Sequence, residues 1–385
     1  MKVLLTRFGG IGDTAPVSVC AAILNGRGHE VTVALRVDNV DKQSSLYKYD
    51  ERFKCIDIHE VGPSKARCVK SSFGYIAYES IFNDYDLVID FMYLIEGNDK
   101  CVSTSVRQKW DAWQGSRNSN YVNWYDLHLS WCNINPEGIA DENKNPVYFL
   151  SEDEKAKAKE LKDKHGDIIV IHPFASSLAR SWYQFKELVK KTLETYASAT
   201  IFYWNPQANC YEVVKRTGSY FHKPNGESPL RSSMIVLKAA KLFIGVDTGF
   251  THIAEGLGIR NLAIYSTVPW WTRSKYYKNT SHIDKGTVNN EYYSFYLGLG
   301  DPLHVKDAID GLNDREKLIK KMMEQQPKAN IEDVCKALNT DSAGAEMEAK
   351  LLMGKLESVE RRQSKSLSEV SVDEVFEFVK KGLKK

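Results

Sequence analysis

Short apolar runs alternate with amphipathic stretches along the chain, and they do so twice. KVLLT (2–6), HEVTVAL (29–35), KCIDIH (54–59) and DLVIDFM (86–92) are rich in Val, Ile and Leu and have the length of buried strands. Between the first two, APVSVCAAILNGRG (15–28) has helical content closed by Gly26 and Gly28. The polar interval EGIADENKNP (137–146), with Pro136 before it, interrupts the pattern. The alternation then restarts with IIVIHP, the amphipathic SWYQFKELVKKTLETY, ATIFYW, the helical SSMIVLKAAK, LFIGVD, FTHIAEGLG and NLAIYS. This order predicts two α/β units, each a doubly wound parallel sheet, joined by a linker at 136–146 and facing a cleft at the carboxyl ends of their strands. A chain of 385 residues also exceeds what one core usually serves.

The first loop, LTRFGGIGDTAP (5–16), admits two chemistries. Gly10, Gly12 and Ala15 satisfy the G-x-G-x-x-A spacing of a dinucleotide loop, for which Asp38 would be the ribose ligand. Asp13 sits where that loop asks for no charge; a carboxylate there repels a pyrophosphate and suits a general base. It would equally suit a cap on the helix before Pro16. In the second unit, LFIGVDTGFTHIAEGLG (242–258) predicts a strand ending at Asp247, a Thr-Gly turn and a helix near Phe250. The N–H groups around Thr248 and Gly249 then form an anion site. The alternative is that Asp247 is an N-cap and His252 a first-turn residue with a satisfied ring.

Composition narrows the classes. With 52 basic and 50 acidic residues the net charge is +2, which argues against a general polyanion binder. No run of eighteen apolar residues occurs and MKVLLTR is too short for a signal peptide, so a cytoplasmic protein is expected. The seven cysteines, at 20, 55, 68, 101, 132, 210 and 335, form no C-x-x-C pair, which predicts reduced thiols and no zinc site.

Four segments in order carry a family resemblance: GGIGD (9–13) with Pro16, YDLVIDF (85–91), HPFASSLARSW (172–182) and GVDTGFTHIAEGLG (245–258). Over roughly residues 1–275 the chain resembles glycosyltransferase family 9, the lipopolysaccharide heptosyltransferases. The resemblance implies a GT-B fold: a Rossmann-like acceptor domain over 1–140, a Rossmann-like nucleotide-sugar domain over 147–300, and a closing helix in 369–385 that can cross back to the first domain. It implies an inverting, metal-independent glycosyltransferase, with a nucleotide-diphosphate sugar as donor substrate, no resident cofactor, and a saccharide or glycolipid acceptor. Asp13 becomes the catalytic base; Arg180, Ser176, Ser177, Asp247, Thr248, Gly249 and His252 bind the donor; Gly10 and Gly12 lie on the acceptor side. A base hydroxyl of modified DNA is the alternative acceptor. A dehydrogenase and a non-catalytic sugar-binding relative are the remaining readings.

Three departures from the family pattern matter. Arg180 stands where the family usually has a lysine; it can grip a diphosphate through two N–H groups or be a surface residue at a helix start. Ser176 and Ser177 can donate to phosphate or simply shape a turn. YSTVPWWTRSKYYKNT (265–280) replaces a Gly-Pro-Thr turn, and its aromatic residues beside Arg273 and Lys275 either stack on a ligand or pack the domain edge. In KWDAWQGSRNSNYVNWYDLHLSWC (109–132), Trp124 and Trp131 are expected in the core, and Trp110 and Trp113 at the acceptor. Residues 301–368 read as a helical insertion that the family core lacks.

Overall fold

The computed structural model describes residues 1–7, 10–35, 43–57, 69–71, 74–76, 84–91, 123–175, 180–205, 210–222, 228–265, 270–285, 367 and 369–384. The expected insertion at 301–368 lies almost wholly outside them, as do Asp38, Trp110, Trp113, Ser176 and Ser177.

In the first unit β1 (Lys2–Arg7), β2 (Glu30–Leu35), β3 (Lys54–Asp57) and β6 (Leu87–Asp90) form a parallel sheet of order β3-β2-β1-β6. A separate antiparallel pair, β4 (Val69–Ser71) and β5 (Gly74–Ile76), lies between β3 and β6 in the chain. Helix α1 (Ile11–Gly26) follows β1 and ends at Gly28 with φ +86°, a conformation open to glycine at little cost. It starts five residues before Pro16, which therefore sits inside the helix. A second-turn proline forfeits only one intrahelical bond, to the Gly12 carbonyl.

Helix α2 (Trp124–Trp131) is capped by the Asn123 side chain, which accepts from the Tyr125 and Asp126 N–H groups. Two 3-10 turns, Pro136–Gly138 and Asp141–Lys144, fill the expected linker. Next comes α3 (Glu152–His165), which the hydrophobic pattern does not announce because it buries only Ala158 and His165. Its Ser151/Glu154 capping box and acidic-first, basic-last charge order stabilise it instead.

The second sheet has seven strands in the order β10-β9-β8-β7-β11-β12-β13. Strands β7 (Ile168–His172), β8 (Thr200–Asn205), β11 (Leu242–Val246), β12 (Asn261–Tyr265) and β13 (Thr280–Asp284) run parallel. The expectation of a wholly parallel sheet fails at one edge. Strands β9 (Cys210–Lys215) and β10 (Gly218–His222) are antiparallel, because an Arg216–Thr217 connection is too short for a crossover. Helices α4 (Phe185–Thr195), α5 (Pro229–Ala239), α6 (Gly249–Gly256) and α7 (Trp270–Ser274) complete this unit with α8 (Val372–Leu383).

The closing helix does not cross to the first unit. Val375, Phe376, Phe378, Val379 and Leu383 join α4 and one face of the second sheet, and Gly382 lies against Leu242 so closely that a Cβ there would come within 2.4 Å of Leu Cδ2. Burial of that amphipathic face holds it where it is.

The other face of the second sheet joins the first unit in one apolar cluster, running from Val3, Leu5 and Val33 through Tyr47, Tyr148 and Leu150 to Val170, Phe243 and Ile253. A buried guanidinium stitches the same boundary. Arg231, on α5, is 1% exposed; it pairs with Glu154, donates to the Phe149 carbonyl (3.0 Å), and donates at 3.4 Å to the carbonyls of Ser45 and Leu46 in the first unit.

Candidate functional site

In each unit a strand is followed by a helix, and the starts of α1 and α6 meet. A Cβ on Gly249 would lie 2.5 Å from Ile11 Cβ and 3.1 Å from the Gly12 nitrogen, and one on Gly12 would lie 3.1 Å from the His252 ring. Contact between the units therefore requires glycine at 249 and leaves little room for a side chain at 12. Gly12, expected on the acceptor side, faces His252 and Gly249; Gly10 is the exposed N-cap of α1.

Asp13 occupies the third position of α1 and is held from two sides. Its Oδ2 accepts the Gly10 N–H at 2.7 Å, and its Oδ1 lies 3.2 Å from an Arg7 guanidinium nitrogen. Arg7 also donates to the Phe91 carbonyl at 2.9 Å, so the ends of β1 and β6 are tied across the head of α1. Nearby, Thr6 donates to Asp90 within the buried layer at 2.8 Å. The carboxylate keeps two oxygens with further lone pairs and is about one-quarter exposed, with a side-chain value of 26%.

At α6 the first turn has no side-chain cap. Thr248 is the N-cap with extended backbone (φ −141°, ψ 168°), yet its side chain makes no cap, and its buried Oγ1 has no hydrogen-bond partner among the described residues. Thr251 instead turns its hydroxyl back to the Val246 carbonyl at 2.7 Å. Beside the helix start, Arg180 donates to the Asp247 carboxylate (3.1 Å) and carbonyl (3.2 Å). Burial pushes the Asp247 carboxyl up, but Arg180, Arg273 and His252 outweigh it and hold the group below its ordinary range. Arg180 thus lies inward, on the acid expected beside it.

Arg273 is 8% exposed, its guanidinium 3.5 Å from the ring centroid of Trp124 on α2; Arg7 stands 6.0 Å from the same ring. Trp124, expected as core, is half-buried and carries these two cations from different units. Trp131 is buried against Phe91 and His128, as expected. Tyr276 and Tyr277 pack inside with Ala15, Val19 and Tyr125, while Trp270 stacks on His282 at 4.3 Å.

His252 is 5% exposed, and burial lowers its pKa to about 4, so its ring is neutral near pH 7. Its Nδ1 is hydrogen-bonded to the Tyr277 hydroxyl. At the end of β7, His172 is likewise driven down to about 3 by burial; it bonds Tyr211 at 2.9 Å, stacks on Trp204 and lies tilted against Phe250. No group of three or more His, Cys, Asp or Glu placed to hold a metal occurs among the described residues.

Asp13, Arg180, Asp247, Thr248, Gly249 and His252 thus converge at one junction. Arg7, which no motif singled out, joins them with Trp124, expected in the core, and Tyr277, one of the aromatic residues of 265–280. The signals available were a basic residue closing the first strand and an aromatic-rich segment beside Arg273.

Two Rossmann-like units meeting at their helix starts define a GT-B architecture. Residues 130–290 match the model for glycosyltransferase family 9 (heptosyltransferase), which makes the chain a glycosyltransferase. The structure is similar to that of the glycosyl transferase family 9 from Veillonella parvula DSM 2008, at 12% identity over 91% of this chain and 97% of that one, with a TM-score of 0.51. It is also similar to ADP-heptose lps heptosyltransferase II of E. coli, at 14% identity over 74% of this chain and 90% of that one, with a TM-score of 0.50. No curated protein matches the chain. No helix among the described residues is long and apolar enough to cross a membrane.

Proposed function

We propose that the chain is an inverting, metal-independent glycosyltransferase that moves a sugar from a nucleoside-diphosphate sugar to a hydroxyl of a saccharide or glycolipid acceptor. The observation that carries this reading is the meeting of two unlike helix starts, one bearing a carboxylate and the other an unpartnered hydroxyl next to an Asp247–Arg180 pair. Inverting transfer needs a base on one side of the anomeric carbon and positive charge on the other.

On the donor side, the free N–H groups and positive dipole end of α6, with Thr248 Oγ1, Gly249 and the His252 ring, would receive the diphosphate. Arg180 and Arg273 would neutralise the leaving group, the role a divalent ion fills in other transferases. Asp247 holds Arg180 in place until the phosphates compete for it. On the acceptor side, Asp13 would take the hydroxyl proton, its orientation fixed by Gly10 and Arg7. No cofactor has a part in this scheme. Ser176, Ser177, Trp110 and Trp113 keep the donor and acceptor roles suggested by the resemblance, as part of the same proposal.

The test is transfer from a panel of ADP-, UDP- and GDP-sugars to saccharide, glycolipid and modified-DNA acceptors, with and without EDTA. Transfer that persists in EDTA with inversion at the anomeric carbon supports the reading; loss in EDTA restored by magnesium or manganese overturns its metal-free chemistry. Label found only in DNA overturns the acceptor class.

A further inference from the structure

The buried tyrosines behind His252 form a hydrogen-bond chain whose direction can be read from its protons. The Tyr277 hydroxyl stands between His252 Nδ1 and the Tyr125 hydroxyl, 2.5 Å from the latter. Tyr125 and Tyr277 are 1% and 7% exposed, and Ala15 and Val19 of α1 close the same apolar cluster around them. Burial raises both phenols well above their ordinary range, so each keeps its proton.

Two directions exist. If His252 donated from Nδ1 to Tyr277 and Tyr277 to Tyr125, the Tyr125 proton would have no acceptor among the described residues, a costly arrangement in a dry pocket. If Tyr125 donates to Tyr277 and Tyr277 to Nδ1, both protons are used and the chain ends on a lone pair. The second arrangement puts the imidazole proton on Nε2. That nitrogen is the edge of the ring nearest Gly12, at the junction of α1 and α6.

We propose that Tyr277 and Tyr125 are positioning residues that hold His252 in its Nε2–H form and aim that donor at the diphosphate subsite. This rests on the function proposed above. A neutral ring so held offers phosphate an N–H, whereas the other tautomer would offer it a lone pair and repel it. Because Tyr125 sits on α2 and Tyr277 follows α7, the docking of α2 on the second unit sets the protonation site.

Long-range proton–nitrogen spectra of the 15N-labelled full chain at pH 7, with His252→Gln to assign the ring, test the chain without any ligand. The expected wild-type signal is protonation at Nε2 alone, and Tyr277→Phe should give a mixture of tautomers or protonation at Nδ1. Protonation at Nδ1 in the wild type, or an unchanged spectrum in Tyr277→Phe, overturns the proposal. Calorimetry with ADP, UDP and GDP then tests its consequence. Tyr277→Phe should weaken the best-bound of the three about tenfold, the effect of one hydrogen bond to a charged group. Tyr125→Phe, which leaves the Tyr277 hydroxyl in place and removes less, should weaken it by a smaller factor. Unchanged affinity in Tyr277→Phe despite a shifted tautomer overturns the positioning role. Failure of the wild type to bind any of the three removes the diphosphate subsite instead, and the spectra still decide the direction of the chain.

Discussion

The two helix starts at the junction are built from the same local pattern and end in opposite chemical states. At α1 a side chain of the helix itself, Asp13, closes the first turn by accepting the Gly10 N–H, and an arginine from the preceding strand neutralises it. At α6 the residue placed to cap, Thr248, leaves its hydroxyl unpartnered, and the neighbouring acid is already engaged by Arg180. A strand–turn–helix unit presents positive dipole at its helix start in both cases. One unit has filled that position with its own anion and the other has no side-chain cap there.

Breaking the acid side should have the largest effect. Asp13→Asn is expected to slow transfer by roughly 10²–10⁴-fold, the usual contribution of a general base, with nucleoside-diphosphate affinity nearly unchanged. Initial rates beside calorimetry check it, and normal turnover would mean the proton leaves elsewhere. On the open side, Arg180→Ala should weaken diphosphate binding by about 10- to 100-fold, as for one lost charge-assisted contact worth ~1.5–3 kcal/mol. It also leaves Asp247 without that partner, so a thermal shift should accompany the loss.

The contact between the two starts is sharpened by a pair of glycine substitutions. Gly249→Ala puts a methyl 2.5 Å from Ile11 Cβ and should destabilise the fold by about 1–3 kcal/mol, the usual cost of overpacking. Gly12→Ala meets the His252 ring at 3.1 Å, where the side chain can give way, and should cost less while disturbing the ring's N–H. Equal costs from denaturant titrations would show that the two helix starts yield alike.

A further effect is on pH. His252 and His172 titrate at about 4 and about 3 in the folded chain, below the ordinary value of 6.5. The unfolded chain therefore binds more protons between those limits, and stability rises with pH across that window. It is fully present above pH 6.5 and is lost as pH falls toward 4, so Tm should drop over that range. His252→Gln should flatten the drop; an unchanged profile would mean that His252 is protonated in the fold.

Much of this was legible in the chain because it is local. Alternating runs of Val, Ile and Leu place the strands, and Asp247–Thr248–Gly249 marks a helix start wherever it occurs after a buried strand. The polar helix α3 escaped because caps and charges, rather than an apolar stripe, hold it. Strands β9 and β10 escaped because a turn of two ordinary residues, Arg216 and Thr217, carries no hairpin signature. Arg7 and Trp124 escaped for a different reason: their partners lie across the fold. Phe91 is 84 residues from Arg7, and Arg273 comes from the opposite unit to sit on Trp124. For Asp13 the structure shows the capping bond, with its Oδ2 accepting the Gly10 N–H; its part as base belongs to the proposed function.

The buried guanidinium of Arg231 bears on how the chain is made. Its acceptors at Ser45 and Leu46 precede it by 186 and 185 residues, so during synthesis the first unit waits for the second before that boundary can be desolvated. Contacts of such sequence separation are closed late, because loop entropy is lost before they repay it. An isolated 1–140 fragment would leave Tyr47 without its Tyr148 partner and the Ser45 and Leu46 carbonyls without Arg231, and such surfaces associate. The boundary therefore closes only after residue 231 has emerged, so the unit translated last completes the surface of the first.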